Sequence, residues 1–218
     1  MKTRTLCVAL IVTTVMASAF GCAVTHAGEI EGRVAGATAD NPAVVWIEDV
    51  PAGETPAQDT LITHEDGRLK PKVSIGFVGR EFVFRNEDDV LHNTHLYMQL
   101  AYQHKVSQRP LRYGSTLYNV ALPKAGMEVR KPITSYHRYR DDTGFIEVVC
   151  NPHPDERAYV LIFDHRYASI TGADGSFSIG GLPAGKHVVR IWHNGVVRRW
   201  KAVEINETGT AKILIEKG

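Results

Sequence analysis

The sequence predicts an all-β protein, and three observations carry that prediction. Short runs of β-branched and aromatic residues recur along the chain, among them Ala43-Val44-Val45-Trp46-Ile47-Glu48 and Ala158-Tyr159-Val160-Leu161-Ile162-Phe163. Clusters of Gly, Pro, Asn and Asp punctuate those runs and supply the turns between them. No stretch combines a helical apolar period with capping residues, so no long helix is expected. At 218 residues the chain can hold one large or two small domains with real cores.

In chain order, the first segment predicts export. Met1-Lys2-Thr3-Arg4 is basic, and Leu6 to Ala17 is apolar but shorter than the roughly 18 residues that a membrane span requires. Residues 1–27 therefore read as a signal peptide, cut after Ala27 or Ala19, which implies a periplasmic or secreted protein with no transmembrane span. Membrane anchoring would follow only from acylation of Cys22, where Ala19 stands in place of the usual larger aliphatic residue.

Glu29 to Val34 alternates as a strand with one buried face, and Ala43 to Glu48 is a continuous apolar run. Residues 51–56 form a loop. Val73 to Phe77 and Glu81 to Phe84 predict a hairpin around Val78-Gly79-Arg80, and the polar turn of residues 86–90 leads into His92. Leu96 to Arg112, rich in Tyr, Gln and Arg, reads as irregular with room for a helical turn. Strands are expected at Thr116 to Leu122, from Met127, at Gly144 to Val149, and at Ala158 to Phe163. From Ala168 the text changes to two turns framing a short strand, then His187 to Trp192 and two further strands.

Charge excludes more than it indicates. Without Lys2 and Arg4 the 25 basic residues become 23 against 24 acidic ones, a net charge of −1, so no nucleic-acid partner is expected. Cysteine usage is more informative. Cys7 and Cys22 lie in the export segment or at its edge, which leaves Cys150 as the one thiol of the mature chain. An unpaired thiol in an oxidising compartment is a liability unless it is buried, paired between chains or bound to metal. His153 stands three residues after Cys150, on the loop that follows Val149, and puts an imidazole beside the sulfur. His92, from a separate loop, is the candidate third ligand. A Cys-His-His set selects copper of either charge, or zinc, over hard ions. The bland alternative makes Cys150 a small buried hydrophobe. A catalytic Cys150-His153 dyad lacks an orienting acid and an oxyanion loop.

These residues resemble the cupredoxins, the plastocyanin-like copper proteins, and more narrowly a bacterial group, some labelled methylamine-utilisation proteins, in which such a domain is joined to a carboxypeptidase-regulatory-like β-sandwich. The resemblance is carried by Leu69-Lys70-Pro71, Gly79-Arg80-Glu81-Phe82-Val83-Phe84, Asn86 with Asp88 or Asp89, His92-Asn93, and Cys150-x-x-His153-Pro154. It implies a cupredoxin-like Greek-key β-sandwich over residues 28–166 and a small transthyretin-type β-sandwich over 167–218. Residues 28–50 are assigned either to the first domain or to the completion of the second.

The resemblance implies one copper ion per chain held by His92, Cys150 and His153. Asn93 either ties the His92 loop to the Cys150 loop or is an ordinary turn residue. The family usually places a methionine three residues after the second histidine, and this sequence has Glu156 there. Glu156 either binds as a harder, anionic fourth ligand or points to solvent. His95 either is a further metal donor, replacing His92 or guarding an open position, or takes a polar surface role; His104 and His137 would join only if their loops fold over the site. His64, His165, His187 and His193 are expected to be structural. The expected function is electron transfer with a redox partner protein in the periplasm, and not catalysis. The alternatives are a copper carrier, a zinc-stabilised module, or a structural β-sandwich protein.

Overall fold

The computed structural model describes residues 28–48, 50–99, 115–134, 144–206 and 209–216. Sixteen strands and no helix occur among the described residues. They are β1 (Gly28–Val34), β2 (Val44–Glu48), β3 (Thr60–Glu65), β4 (Arg68–Lys70), β5 (Val73–Phe77), β6 (Glu81–Asn86), β7 (His92–Gln99) and β8 (Ser115–Leu122). They continue with β9 (Met127–Pro132), β10 (Phe145–Val149), β11 (Arg157–Phe163), β12 (Ala168–Ile170), β13 (Ser176–Leu182), β14 (Gly185–His193), β15 (Val196–Ile205) and β16 (Thr210–Ile215). Four sheets result, ordered β13-β1-β16, β12-β2-β14-β15, β5-β11-β10-β7-β8 and β4-β3-β6-β9.

Strict alternation along the strands stacks these sheets into four layers separated by three apolar cores. In β2, Val45 and Ile47 face the β13-β1-β16 sheet, while Val44 and Trp46 face the five-stranded sheet. In β11, Tyr159, Leu161 and Phe163 meet that Val44-Trp46 face, whereas Ala158, Val160 and Ile162 point the other way, toward Phe82 and Phe84 of β6. A strand buried on both faces has no polar alternation to show, which is why the Ala43 to Glu48 run is continuously apolar. The middle core joins the two halves through Trp46, Trp192, Phe145 and Phe163, with Trp46 and Phe163 ring centroids 5.6 Å apart.

The pairing of β1 and β2 decides where their residues belong. β1 lies antiparallel to β13 and parallel to β16, and β2 pairs with β12 and β14. Strands 28–34 and 44–48 thus complete the sheets built by the last part of the chain, and strands β3 to β11 build the other sandwich in between.

Two expectations are corrected. Val73 to Phe77 and Glu81 to Phe84 do not pair as a hairpin: β5 joins β11 and β6 joins β3 and β9, so Val78-Gly79-Arg80 is an arch from one sheet to the other. Gly79 takes a φ of 85° there, a left-handed conformation that glycine adopts without strain. Residues Leu96 to Gln99 are not irregular but continue β7 between β8 and β10. Residues 100–112, like His104 and His137, lie outside the described residues.

Close packing of β1 gives a first prediction. A Cβ on Gly32 would sit 2.4 Å from the Ile213 carbonyl oxygen and 2.9 Å from the Phe177 ring, in a strand hydrogen-bonded on both sides. Gly32→Ala is therefore expected to cost about 1–3 kcal/mol of stability through overpacking. Urea unfolding measures it, and an unchanged midpoint would contradict the β1–β16 pairing.

Candidate metal centre

One end of the sandwich between the five-stranded sheet and the β4-β3-β6-β9 sheet changes from apolar to polar, strand by strand. Going inward to outward, Ile62 is followed on the same face by His64, Phe84 by Asn86, Leu96 by Thr94 and His92, Val148 by Cys150, and Ala158 by Glu156. All of these polar residues are buried, and His64, Asn86, Thr94 and Cys150 have no exposed surface. A buried polar group must find a partner or it destabilises the fold.

The loop from Cys150 to Glu156 is built from two successive turns. His153 N–H donates to the Cys150 carbonyl at 3.2 Å, and Glu156 N–H to the His153 carbonyl at 2.9 Å. Two i to i+3 turns in series put Cys150, His153 and Glu156 side by side, which is the physical meaning of their spacing of three. His92 enters from the start of β7. Its loop is held by Asn86, whose side chain donates to the Val90 and Leu122 carbonyls and accepts from Asp88 N–H, each at 2.9 Å.

Four donor atoms converge. His92 Nδ1 and His153 Nδ1 are 3.2 Å apart, and Cys150 Sγ lies 3.5 Å from the first and 3.4 Å from the second. Glu156 Oε1 is 3.4 Å from His92 Nδ1 and 3.3 Å from His153 Nδ1. A point central to edges of that length is about 2 Å from each atom, the bond length that zinc and copper-type ions take to nitrogen and oxygen donors. The donor set thus fits a single soft or borderline ion. Three of the side chains are shielded, with His92 and Glu156 at 1% and 5% exposure, whereas the His153 side chain is 41% exposed.

Further contacts orient the donors. Asn93 Oδ1 accepts the Asn151 N–H at 2.6 Å, joining the His92 strand to the Cys150 loop, and its Nδ2 donates to Asn119 Oδ1 at 2.6 Å. Burial disfavours the Cys150 thiolate, and the Asn93 and His153 amides offset that only in part. His92 Nε2 faces Asp88 Oδ2 at 3.2 Å, off the line of a good hydrogen bond. Asp88 is itself held by the Asp66 and Gly67 amides at 2.8 and 3.0 Å. Burial works against its ionisation, but the Gly67 and Asp66 amides outweigh it and keep the carboxyl below its usual range.

His64 is the residue that sequence reasoning missed. It stacks on His92 with ring centroids 4.4 Å apart, its Nδ1 lies 2.8 Å from Glu156 Oε2, and its Nε2 lies 3.0 Å from Thr94 Oγ1. The inward alternation of Thr60, Ile62 and His64 was the available signal. His95, by contrast, is not brought to the cluster. Three residues beyond His92 in a strand, it falls on the opposite face, where it meets Thr116 Oγ1 at 2.9 Å and the Tyr97 hydroxyl at 2.8 Å. His165 accepts the Tyr167 N–H, and the rings of His187 and His193 meet Pro183 and Asn41.

Burial pushes the Cys150 thiol and the Glu156 carboxyl up, and holds His92 below the ordinary imidazole range. Each shift favours the neutral form, and a cation at the central point reverses that preference for the thiol and the carboxyl. A pH dependence follows. Below its raised pKa the thiol carries a proton that metal binding must expel, while His92, already neutral, contributes none near neutrality. Metal affinity is expected to rise about tenfold per pH unit between roughly pH 6.5 and 8. Competition against a chelator of known pH dependence measures the slope, and a flat profile would exclude the thiol as donor.

No family model matches the sequence. No curated protein matches it either. Among solved structures, the chain is similar to a Cu(I) form of an amicyanin variant, at 17% identity over 55% of this chain and 98% of that one, with a TM-score of 0.32. A reduced form of another amicyanin variant shares 17% identity over the same fractions, with a TM-score of 0.34. A copper-containing nitrite reductase from Thermus scotoductus shares 18% identity over 54% of this chain and 25% of that one, with a TM-score of 0.33.

Proposed function

We propose that the chain is an exported, cupredoxin-like protein that holds one copper ion between His92, Cys150, His153 and Glu156 and transfers electrons to and from a redox partner in the periplasm. The convergence of two imidazole nitrogens, one sulfur and one carboxylate oxygen on a single buried point carries this reading. Bound copper would supply one-electron chemistry between Cu(I) and Cu(II). Cys150 offers a soft thiolate, and His92 and His153 offer imidazoles from two separate loops that Asn93 holds together. Glu156 would complete a four-donor set around the ion. Only His153 reaches the surface, and Val90 and Leu91, just before His92, are half exposed, which supports electron entry and partner docking at this end.

One observation favours a second reading. The fourth donor stands as close to the imidazoles as the sulfur does, whereas a trigonal copper plane with a weak axial ligand would hold it further away. Four near-equal edges suit a closed tetrahedral zinc site that stabilises the fold without redox chemistry. Metal analysis of protein purified without added metal, with absorption and paramagnetic spectra after copper loading, separates the two. One copper per chain, a sulfur-to-copper band and a reversible redox wave are expected. A chain that carries zinc, stays colourless with Cu(II) and shows no wave would overturn the electron-transfer function.

A further inference from the structure

We propose that His64 is a positioning residue that holds Glu156 as a one-oxygen, inward-facing donor and thereby biases the site toward Cu(II); this rests on the copper reading above. Glu156 has two oxygens with separate tasks. Oε1 faces the imidazole nitrogens of His92 and His153, and Oε2 lies 2.8 Å from His64 Nδ1. His64 is fixed in turn, by Thr94 Oγ1 at 3.0 Å from Nε2, by stacking on His92, and by its backbone carbonyl, which accepts Glu87 N–H at 2.8 Å. Neither His64 nor Thr94 has any exposed surface, so no water stands ready to replace a lost bond.

The consequence is geometric. With Oε2 engaged, the carboxylate cannot rotate to present both oxygens, and it cannot leave the pocket without stranding the His64 N–H. A hard, anionic oxygen held at the central point favours the doubly charged ion over Cu(I). A partner that orients a ligand in this way typically changes metal affinity by about 10–100-fold. Because His64 also lies within 4.8 Å of Cys150, His92 and Glu156, direct ligation by His64 is the competing assignment that the test must separate.

The test compares the full-length copper protein with His64→Leu, His64→Asn and the pair His64→Leu/Glu156→Ala, reading the midpoint potential, the Cu(II) spectrum and Cu(I) and Cu(II) affinities by chelator competition. His64→Leu is expected to lower the Cu(II)-to-Cu(I) affinity ratio at least about tenfold, a positive shift of ~59 mV for one electron. His64→Asn, whose amide can stand where Nδ1 stood, is expected to restore most of the native ratio. In the Glu156→Ala background His64→Leu should change nothing further, since its effect passes through the carboxylate. Equal shifts in the Leu and Asn variants, a shift that persists without Glu156, or loss of a nitrogen from the Cu(II) spectrum would each overturn the proposal. Should His64→Leu not fold, Thr94→Val carries the test, with a shift of the same sign by about threefold expected and no shift overturning it. Native protein that binds copper without a sulfur band would sink the underlying reading instead, independently of these variants.

Discussion

Cys150→Ser is expected to abolish the visible sulfur-to-copper band and to weaken metal binding by more than the roughly 10–100-fold that loss of an outer partner costs. Serine keeps the shape but exchanges a polarisable thiolate for a hydroxyl that does not ionise near neutrality. The sulfur is wholly buried and lies 3.4–3.5 Å from two imidazole nitrogens. A merely structural cysteine would behave differently, because the isosteric serine would then alter stability but leave metal uptake intact. Thiol titration gives an independent check: the native thiol should react slowly with metal present and stoichiometrically after its removal in denaturant. Unchanged copper affinity in the serine variant would refute the donor assignment.

The largest expected loss of stability comes from the core shared by the two sandwiches. Trp46 is 1% exposed, packs on Phe163, and shares its core with Trp192 and Phe145. Trp46→Ala opens a cavity there and is expected to cost about 3–5 kcal/mol. Because that core is lined by β2 and β14 on one side and by β5, β10 and β11 on the other, the loss should reach the metal end as well. Native protein is expected to unfold in one transition, with tryptophan fluorescence and the copper band changing together. Separate transitions, or a cost confined to one of them, would show that the core does not couple the two halves.

Much of this architecture was legible in the residues, for definite reasons. β2, β8, β10, β11 and the last four strands announce themselves through apolar or alternating β-branched runs, and the spacing of Cys150, His153 and Glu156 becomes a cluster once two turns are placed in series. β7 was half hidden because its inner and outer faces both carry buried polar groups: Asn93, Thr94, His95 and Gln99 look like a loop when read one by one. The pairing of β5 and β6 with different sheets was invisible because adjacent runs around a glycine turn read identically whether they form a hairpin or an arch. His64 was overlooked for a related reason. A histidine in a strand carries no mark of which face it takes until Ile62 and Asn86 are known to flank the same core.

The route of the chain through the stack has a mechanical consequence. It leaves the inner sheet after Glu48 and returns at Ala168, on strands that are themselves hydrogen-bonded neighbours, with Ala168 opposite Trp46. A body fastened at two adjacent points and seated on a bed of tryptophan and phenylalanine has no free swivel. Anything that grips the far sandwich would consequently hold the exposed His153 edge at a set distance and bearing, as a bracket holds a lamp.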